Sequence, residues 1–323
     1  MLSIGGRYRS CAVRIDLPTD AATRADAAEQ LAKLVDSVWP EHVLTLGYGP
    51  TDHVTPMLTR LHDALTEHGQ HPEMMLRVSD GRYFADPPCP DPACCPPEGH
   101  PVDLALSPVA AEAILAGHVA YPSRADLAAT LDPVGGPTRR RMIAETARAE
   151  QRLLPGPGDD APPAPELTEA LYPDAIALIE DLYAACTPHG EPATERQMAE
   201  LGVLLTLTRI RDEAWVRMDP DHLPRYLPLW TRVLRHVQPD YQAAPACLLA
   251  YAAYASGDGT MANLALERAA QADPAYPMTD LIAAVIAAGV PPEATRLRMS
   301  PDQLNHLWTR PSAGPAPDTD RHT

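Results

Sequence analysis

The sequence predicts an α/β domain, whose mixed sheet starts in a hairpin, followed by an all-α domain of tetratricopeptide-like (TPR-like) helices. Over residues 1–154, short apolar runs alternate with amphipathic stretches, which is typical of strands joined by helices. After residue 166, apolar residues repeat at spacings of three and four, which indicates helices. Residues 155–165 contain five prolines and two glycines and therefore predict a linker between the domains.

The first domain, residues 1–154, begins with the predicted hairpin. Residues 1–4 and 7–17 are predicted as strands around Gly5-Gly6, because two glycines suit the positive φ angles of a two-residue turn. The alternation that follows favours at least one parallel crossover. Its predicted elements are helices at 20–38 and 52–68, strands at 43–47, 74–78 and 82–85, a Pro- and Cys-rich loop at 89–101, and helices starting near Ser107, Ser123 and Thr138.

The second domain, residues 166–309, is predicted to contain helices alone. One helix is expected to run from Thr194 to Trp215. A further apolar stripe ends at Val237 and contains Pro228, which we expect to bend the helix. The final residues, 310–323, are predicted to be disordered.

A helical hairpin is predicted at 245–255 and 261–272, across Gly257-Asp258-Gly259. Its second helix matches the second half of a TPR in spacing through Ala262, Leu266 and Ala269. Because no second copy of the pattern follows, we predict a single TPR-like hairpin and not a solenoid. Such a helical domain offers a surface for a protein partner.

Length and charge narrow the classes of function. At roughly 150 residues per domain, 323 residues suggest two domains. The formal net charge of −17 argues against binding to nucleic acid or to anionic membrane surfaces, both of which attract basic residues. No apolar run approaches the roughly 18 residues of a membrane helix, and no signal peptide begins the chain. We therefore predict a soluble, cytoplasmic protein.

The sharpest chemical feature is the loop that holds Cys89, Cys94, Cys95 and His100. Thiolates and an imidazole at short spacings are typical of a zinc site, for which these four residues are the candidate ligands. Neighbouring Cys94 and Cys95 are nevertheless expected to point apart, and no second cysteine pair follows. The favoured interpretation is therefore packed or redox-tolerant thiols in a rigid proline loop, with the zinc site and a reactive cysteine of lowered pKa as the two alternatives.

A second candidate is the turn at residues 47–52, between a predicted strand and a helix. An α/β sheet binds phosphates at such a place. The third glycine of a dinucleotide fingerprint is replaced by Asp52, whose charge repels phosphate. An ordinary turn with Thr51 or Asp52 as the helix cap is the alternative. The scattered histidines suggest no catalytic triad.

Several motifs together resemble one family, the actinobacterial domain of unknown function 4192 (DUF4192). These motifs are Asp91-Pro-Ala-Cys-Cys-Pro-Pro-Glu-Gly99, Ala120-Tyr-Pro-Ser-Arg124, Pro133-Val-Gly-Gly-Pro137, Arg211-Asp-Glu-Ala-Trp215 and Gly289-Val-Pro-Pro292. The resemblance covers residues 1–293 and implies a cytoplasmic actinobacterial protein of two such parts, without an assigned activity. Members usually carry a leading segment with a Gly-Phe-His-Pro-like motif, which is not found before Met1. We therefore expect either that the natural first domain begins upstream of Met1 or that this version has lost the segment.

The acidic surface, the TPR-like helices and the lack of an assembled catalytic set favour a non-enzymatic interaction or regulatory protein. The alternative is an enzyme that binds a small ligand or a metal ion in the α/β domain.

Overall fold

The computed structural model describes residues 13–38, 40–103, 107–115, 119, 121, 123–155 and 164–309. The chain divides into two compact units, Met1–Tyr121 and Pro122–Thr323. Among the described residues, the first unit contains a sheet and the second contains helices and no strand, so the predicted order of an α/β part and then an all-α part is confirmed. No helix among the described residues is both long enough and apolar enough to span a membrane.

The first unit is built on a four-stranded sheet in the order β1-β2-β3-β4. Its strands are β1 Leu44–Tyr48, β2 Met74–Ser79, β3 Arg82–Ala85 and β4 His100–Pro101, and its helices are α1 Ala21–Val38, α2 Thr51–Glu67 and α3 Pro108–Leu115. Strands β1 and β2 are parallel, whereas β3 is antiparallel to both β2 and β4. The sheet is therefore mixed, with α2 as its one parallel crossover among the described residues.

The hairpin predicted at the start of the chain lies outside the described residues, apart from residues 13–17. Those five residues form no strand. Val13 and Ile15 are both exposed, so this stretch has no buried face that would hold it in register, and the strand prediction is wrong there.

Helices α1 and α2 pack on each other over a small apolar core. The buried members of this core are Ala28, Ala32, Val43, Met57, Ala64 and Leu65. Helix α2 also approaches β1 closely at Gly47, where a Cβ atom would overlap the side chain of Val54. A glycine at this position is therefore required for the helix to cover the sheet.

The second unit contains eleven helices within its described residues. They are α4 Arg124–Ala129, α5 Gly136–Leu153, α6 Ala164–Ala184, α7 Glu195–Leu204, α8 Thr208–Val216, α9 Leu227–His236, α10 Ala243–Ala255, α11 Gly259–Ala272, α12 Pro277–Ala287, α13 Pro292–Thr295 and α14 Pro301–Thr309, with 3-10 turns at Leu223–Tyr226 and Pro239–Tyr241.

Helices α4 and α5 lie in the second unit, whereas the sequence analysis placed them in the first domain. The apolar face of α5, which includes Met142 and Ala149, is buried in the core of the second unit. On the polar side, Arg141 of α5 donates to both carboxylate oxygens of Glu195, at the start of α7. The contacts thus divide the chain before residue 122, and residues 156–163 of the predicted linker lie outside the described part.

Two predicted helices differ from those observed. The stretch expected to run unbroken from Thr194 to Trp215 is divided between α7 and α8, where the Thr206 hydroxyl donates to the carbonyl of Val203 at 2.7 Å. This side-chain bond competes with the helical backbone pattern. Pro228 does not bend a helix, because α9 begins at Leu227 and the proline occupies its first turn, where a missing N–H costs nothing.

Helix α10 is the centre of the helical unit. All of its residues except Tyr254 are buried, and eight of its thirteen residues are alanine or proline. Small side chains allow α9, α11 and α12 to pack closely around it. In the predicted TPR-like hairpin, α10 is the first helix, and its burial on every side leaves no open groove along it.

A buried ion pair within α8 and its C-cap, Glu213 with Arg217, also contacts Tyr172 and Glu180 of α6. The Glu213 side chain is fully buried, its Oε1 accepts from the Tyr172 hydroxyl at 2.7 Å, and its Oε2 lies 3.1 Å from Nη2 of Arg217. The same guanidinium also pairs, through Nη1, with the exposed carboxylate of Glu180 at 2.9 Å. A buried charge needs these partners, because an unpaired charge in the interior is strongly destabilising.

We predict that Glu213→Ala lowers the free energy of unfolding by about 3–5 kcal/mol, because it leaves the Arg217 guanidinium without its buried partner. The matched control is Glu180→Ala, which removes the exposed carboxylate from the same arginine and should cost less than about 1 kcal/mol. Urea unfolding of both variants measures the difference. Equal losses would show that burial does not set the strength of this pair.

Candidate functional site

The cysteine loop, which we define as residues 89–99, connects β3 to β4. The Arg82 side chain, at the start of β3, fixes the far end of the loop. Its Nε donates to the carbonyl of Glu98 at 2.5 Å and its Nη2 to the carbonyl of Gly99 at 2.7 Å. Charge-assisted hydrogen bonds of this kind are stronger than neutral ones, so they fix the backbone directly before β4.

Gly99 permits the tight turn that ends the loop. Its φ is +73°, and its N–H donates to the carbonyl of Pro96 at 2.8 Å. A Cβ atom at this position would lie 2.6 Å from the Phe84 ring, which is itself covered by the Arg77 guanidinium at 4.1 Å. Both the backbone angle and the lack of space therefore require glycine.

A second turn, centred on Asp91, gathers the cysteines. The Asp91 carbonyl accepts from the amides of Cys94 at 3.2 Å and Cys95 at 2.8 Å. The Asp91 carboxylate accepts from the amide of Ala93 at 2.9 Å, as is common for aspartate in turns. The thiol of Cys89 lies 3.9 Å from the Asp91 carbonyl oxygen, so one residue organises all three cysteines.

The three sulfur atoms of Cys89, Cys94 and Cys95 lie within 4.8 Å of one another. The Sγ atoms of Cys94 and Cys95 are 3.8 Å apart. The expectation that these neighbouring side chains point apart is therefore wrong, because both amides turn toward the same carbonyl. Cys94 is exposed, and the other two are half-buried, so the cluster is open to solvent and to small solutes.

His100, the fourth predicted ligand, lies outside the sulfur cluster. Its Nε2 is 2.9 Å from the carbonyl oxygen of Cys94, and since a carbonyl only accepts, Nε2 carries the proton. The imidazole also stacks on Tyr83, with ring centroids 4.9 Å apart. His100 therefore supports the loop from β4 and contacts the backbone of a candidate ligand, not the position between the sulfurs.

Cys89 and Cys95 differ in their acidity. A hydrogen bond with the Asp91 backbone, followed by the effect of the Cys95 thiol, lowers the pKa of Cys89. The interaction with Cys89, followed by partial burial, raises the pKa of Cys95 to about 12. Of these two thiols, Cys89 therefore loses its proton first.

The other candidate, the turn at residues 47–52, is an ordinary strand-to-helix connection. Pro50 is the N-cap of α2, and no side chain caps the helix, so the predicted cap by Thr51 or Asp52 is wrong. The Gly49 amide donates to the Val78 carbonyl at 2.9 Å and is thus already used within the sheet. The Asp52 carboxylate stands in the first turn, where it disfavours phosphate.

Sequence reasoning missed the residues that hold the loop, namely Arg82, Asp91 and Gly99. A signal existed for two of them. Asp91 before a proline and Gly99 after a glutamate are both typical of turns. The sequence around Arg82 contains no such signal, because the two carbonyl groups that its side chain contacts lie 16 and 17 residues further along the chain.

Comparison with known proteins adds one family. The family model described as Domain of unknown function (DUF4192) matches residues 2–293. No curated protein and no solved structure matches the chain. The resemblance noted in the motifs is thereby confirmed at the level of the family.

We predict that Gly99→Ala destabilises the loop more than Gly81→Ala does. Both glycines have a positive φ, +73° and +70°, but a Cβ at Gly81 meets nothing within 4 Å. Gly81→Ala should cost about 1–2 kcal/mol for the backbone angle, and Gly99→Ala about 1–3 kcal/mol more for the overlap with Phe84. Unfolding free energies give the comparison, and the rate at which a thiol reagent labels the loop should rise for Gly99→Ala alone. Equal behaviour of the two variants would contradict the role given to Phe84.

Proposed function

The chain belongs to the DUF4192 family, whose model covers residues 2–293, and we propose that its first unit binds a zinc ion through Cys89, Cys94 and Cys95. In this proposal the metal orders a loop at the edge of the sheet. Its support is the geometry of the three sulfurs.

The spacing of the sulfurs carries the proposal. Zinc bonds to thiolate sulfur at about 2.3 Å in a tetrahedron, whose edges are then about 3.8 Å long. The Sγ atoms of Cys94 and Cys95 are already 3.8 Å apart, and the Sγ of Cys89 lies within 4.8 Å of both. A small movement of one side chain therefore brings all three sulfurs onto the corners of a zinc tetrahedron.

The chemistry of the ligands also favours zinc. Thiolates are soft ligands that select zinc over magnesium or calcium, and a divalent cation lowers the pKa of each thiol that it binds. Three negative sulfurs in a chain of net charge −17 also favour a cation over an anion. Within the described residues, no fourth histidine, cysteine or carboxylate joins the group, so water is the fourth ligand that we propose.

His100 has a positioning role in this proposal. Its Nε2–H donates to the Cys94 carbonyl, and its ring is fixed on Tyr83. It therefore orients one ligand through the backbone, as outer-shell groups do in other metal sites.

Zinc titration of the metal-free protein against a chromophoric chelator tests the proposal. We expect one zinc ion per chain, and Cys89→Ser, Cys94→Ser or Cys95→Ser should each weaken binding by more than about 100-fold, beyond the range of outer-shell changes. The control is Cys186→Ser, a half-buried cysteine of the second unit whose Sγ lies 3.2 Å from the Leu182 carbonyl. Binding that is absent, or unchanged in the loop variants, would refute the zinc site.

We predict that His100→Phe weakens zinc binding by about 10-fold, the lower end of outer-shell effects, since the ring stack on Tyr83 is kept and only the bond to Cys94 is lost. The same titration measures it. A loss as large as that of the cysteine variants would instead make His100 a ligand.

A further inference from the structure

We propose that Cys89 is a peroxide-reactive site, at which a hydroperoxide converts Cys89 and Cys95 into a disulfide that expels the zinc ion. The release of zinc rests on the proposed function, whereas the disulfide needs only the two thiols. In this proposal, hydroperoxides are the oxidants, and oxidation regulates whether the loop holds zinc.

The geometry places the two thiols within reach of each other. The Sγ atoms of Cys89 and Cys95 lie within 4.8 Å of each other. Both side chains are half-buried, not enclosed, which admits a molecule as small as hydrogen peroxide. Because Cys89 lies five and six residues before the other two cysteines, across the turn at Asp91, its sulfur approaches them from the opposite arm of the loop.

The closest pair of sulfurs, that of Cys94 and Cys95, is not the pair that we expect to join. Neighbouring Cα atoms are about 3.8 Å apart across a trans peptide, whereas disulfides span Cα distances of about 4.4–6.8 Å. A bond between these neighbours would therefore distort the turn that Asp91 closes. Cys89 must be one member of the pair. We take Cys95 as the other, because its side chain is half-buried like that of Cys89, whereas the Cys94 side chain is exposed.

The reaction proceeds in two balanced steps. First, the Cys89 thiolate attacks one oxygen of hydrogen peroxide, the O–O bond breaks, and hydroxide leaves while Cys89 becomes a sulfenic acid. The Cys95 sulfur then attacks the sulfenic sulfur, the S–O bond breaks, and the second hydroxide takes up the Cys95 proton to leave as water. The two sulfurs lose two electrons, and the peroxide gains them. The first hydroxide takes up the proton that Cys89 released when it ionised, so the peroxide becomes two molecules of water.

Disulfide formation removes two of the three proposed ligands. A disulfide sulfur carries no negative charge and is a poor ligand for zinc, which binds the thiolate. Cys94, which is exposed, is then the single thiolate left, and one ligand does not retain the ion. Reduction of the disulfide by a dithiol restores all three thiolates, so the change is reversible.

The experiment follows zinc and covalent state together. The full chain is first loaded with one equivalent of zinc, and this titration alone decides the proposed function. Hydrogen peroxide is then added, released zinc is measured with a chromophoric chelator, and the intact mass is recorded. We expect release of the zinc with a mass loss of two hydrogen atoms and recovery of binding after dithiothreitol. A mass gain of oxygen atoms in place of the hydrogen loss would overturn the inference.

Variants of the metal-free protein identify the pair and keep the test independent of zinc. Cys94→Ser should form the disulfide within about twofold of the unchanged rate, whereas Cys95→Ser should be at least about tenfold slower, because the attacking thiol is missing. Cys89→Ser leaves only the neighbouring pair in the loop, and no disulfide should form within the loop. Equal rates for Cys94→Ser and Cys95→Ser, or a disulfide in Cys89→Ser, would overturn the assignment, whether or not zinc binds.

Discussion

The backbone carbonyl of Asp91 is the acceptor on which the candidate site depends. It accepts the amides of Cys94 and Cys95, and the Cys89 thiol lies 3.9 Å from the same oxygen. The path of the backbone thus brings the three sulfurs close together. Prolines at 90, 92, 96 and 97 restrict the unfolded loop, which lowers the entropy lost when the thiols are ordered. A loop ordered in advance binds a metal ion at a smaller conformational cost.

The local sequence predicts one part of the candidate site. The three cysteines were candidate ligands because thiols at short spacings within one loop are typical of zinc sites. His100 was grouped with them, but the pairing of β3 with β4 places its ring on Tyr83, outside the group of three sulfurs. The role of Arg82 was equally hidden, because its guanidinium contacts carbonyls, which every residue possesses. Periodicity and ligand type identify candidate residues, whereas strand pairing decides which of them face the same point.

The fold shows the same division between local and tertiary information. The types of most elements were predicted, because an apolar period of two or of three to four is a local property. The grouping of α4 and α5 with the helical unit was not, since the surface that buries Met142 is supplied by helices later in the chain. The Ala-rich α10 illustrates this limit further. Its composition indicates a helix, but only the surrounding helices show that nearly every side of it is buried.

The contacts that fix the end of the cysteine loop are separate from those that bring its sulfur atoms together. Arg82 and Gly99 fix the end of the loop through backbone atoms and through Phe84, and no sulfur takes part in these contacts. Changes at the sulfurs therefore act on the turn around Asp91 and leave the pairing of β3 with β4 in place. The bond between His100 and the Cys94 carbonyl joins the two parts. That bond connects a side chain of β4 to the backbone of a cysteine. A movement of the turn therefore changes the position of the His100 ring, which stacks on Tyr83, without breaking the strand pairing.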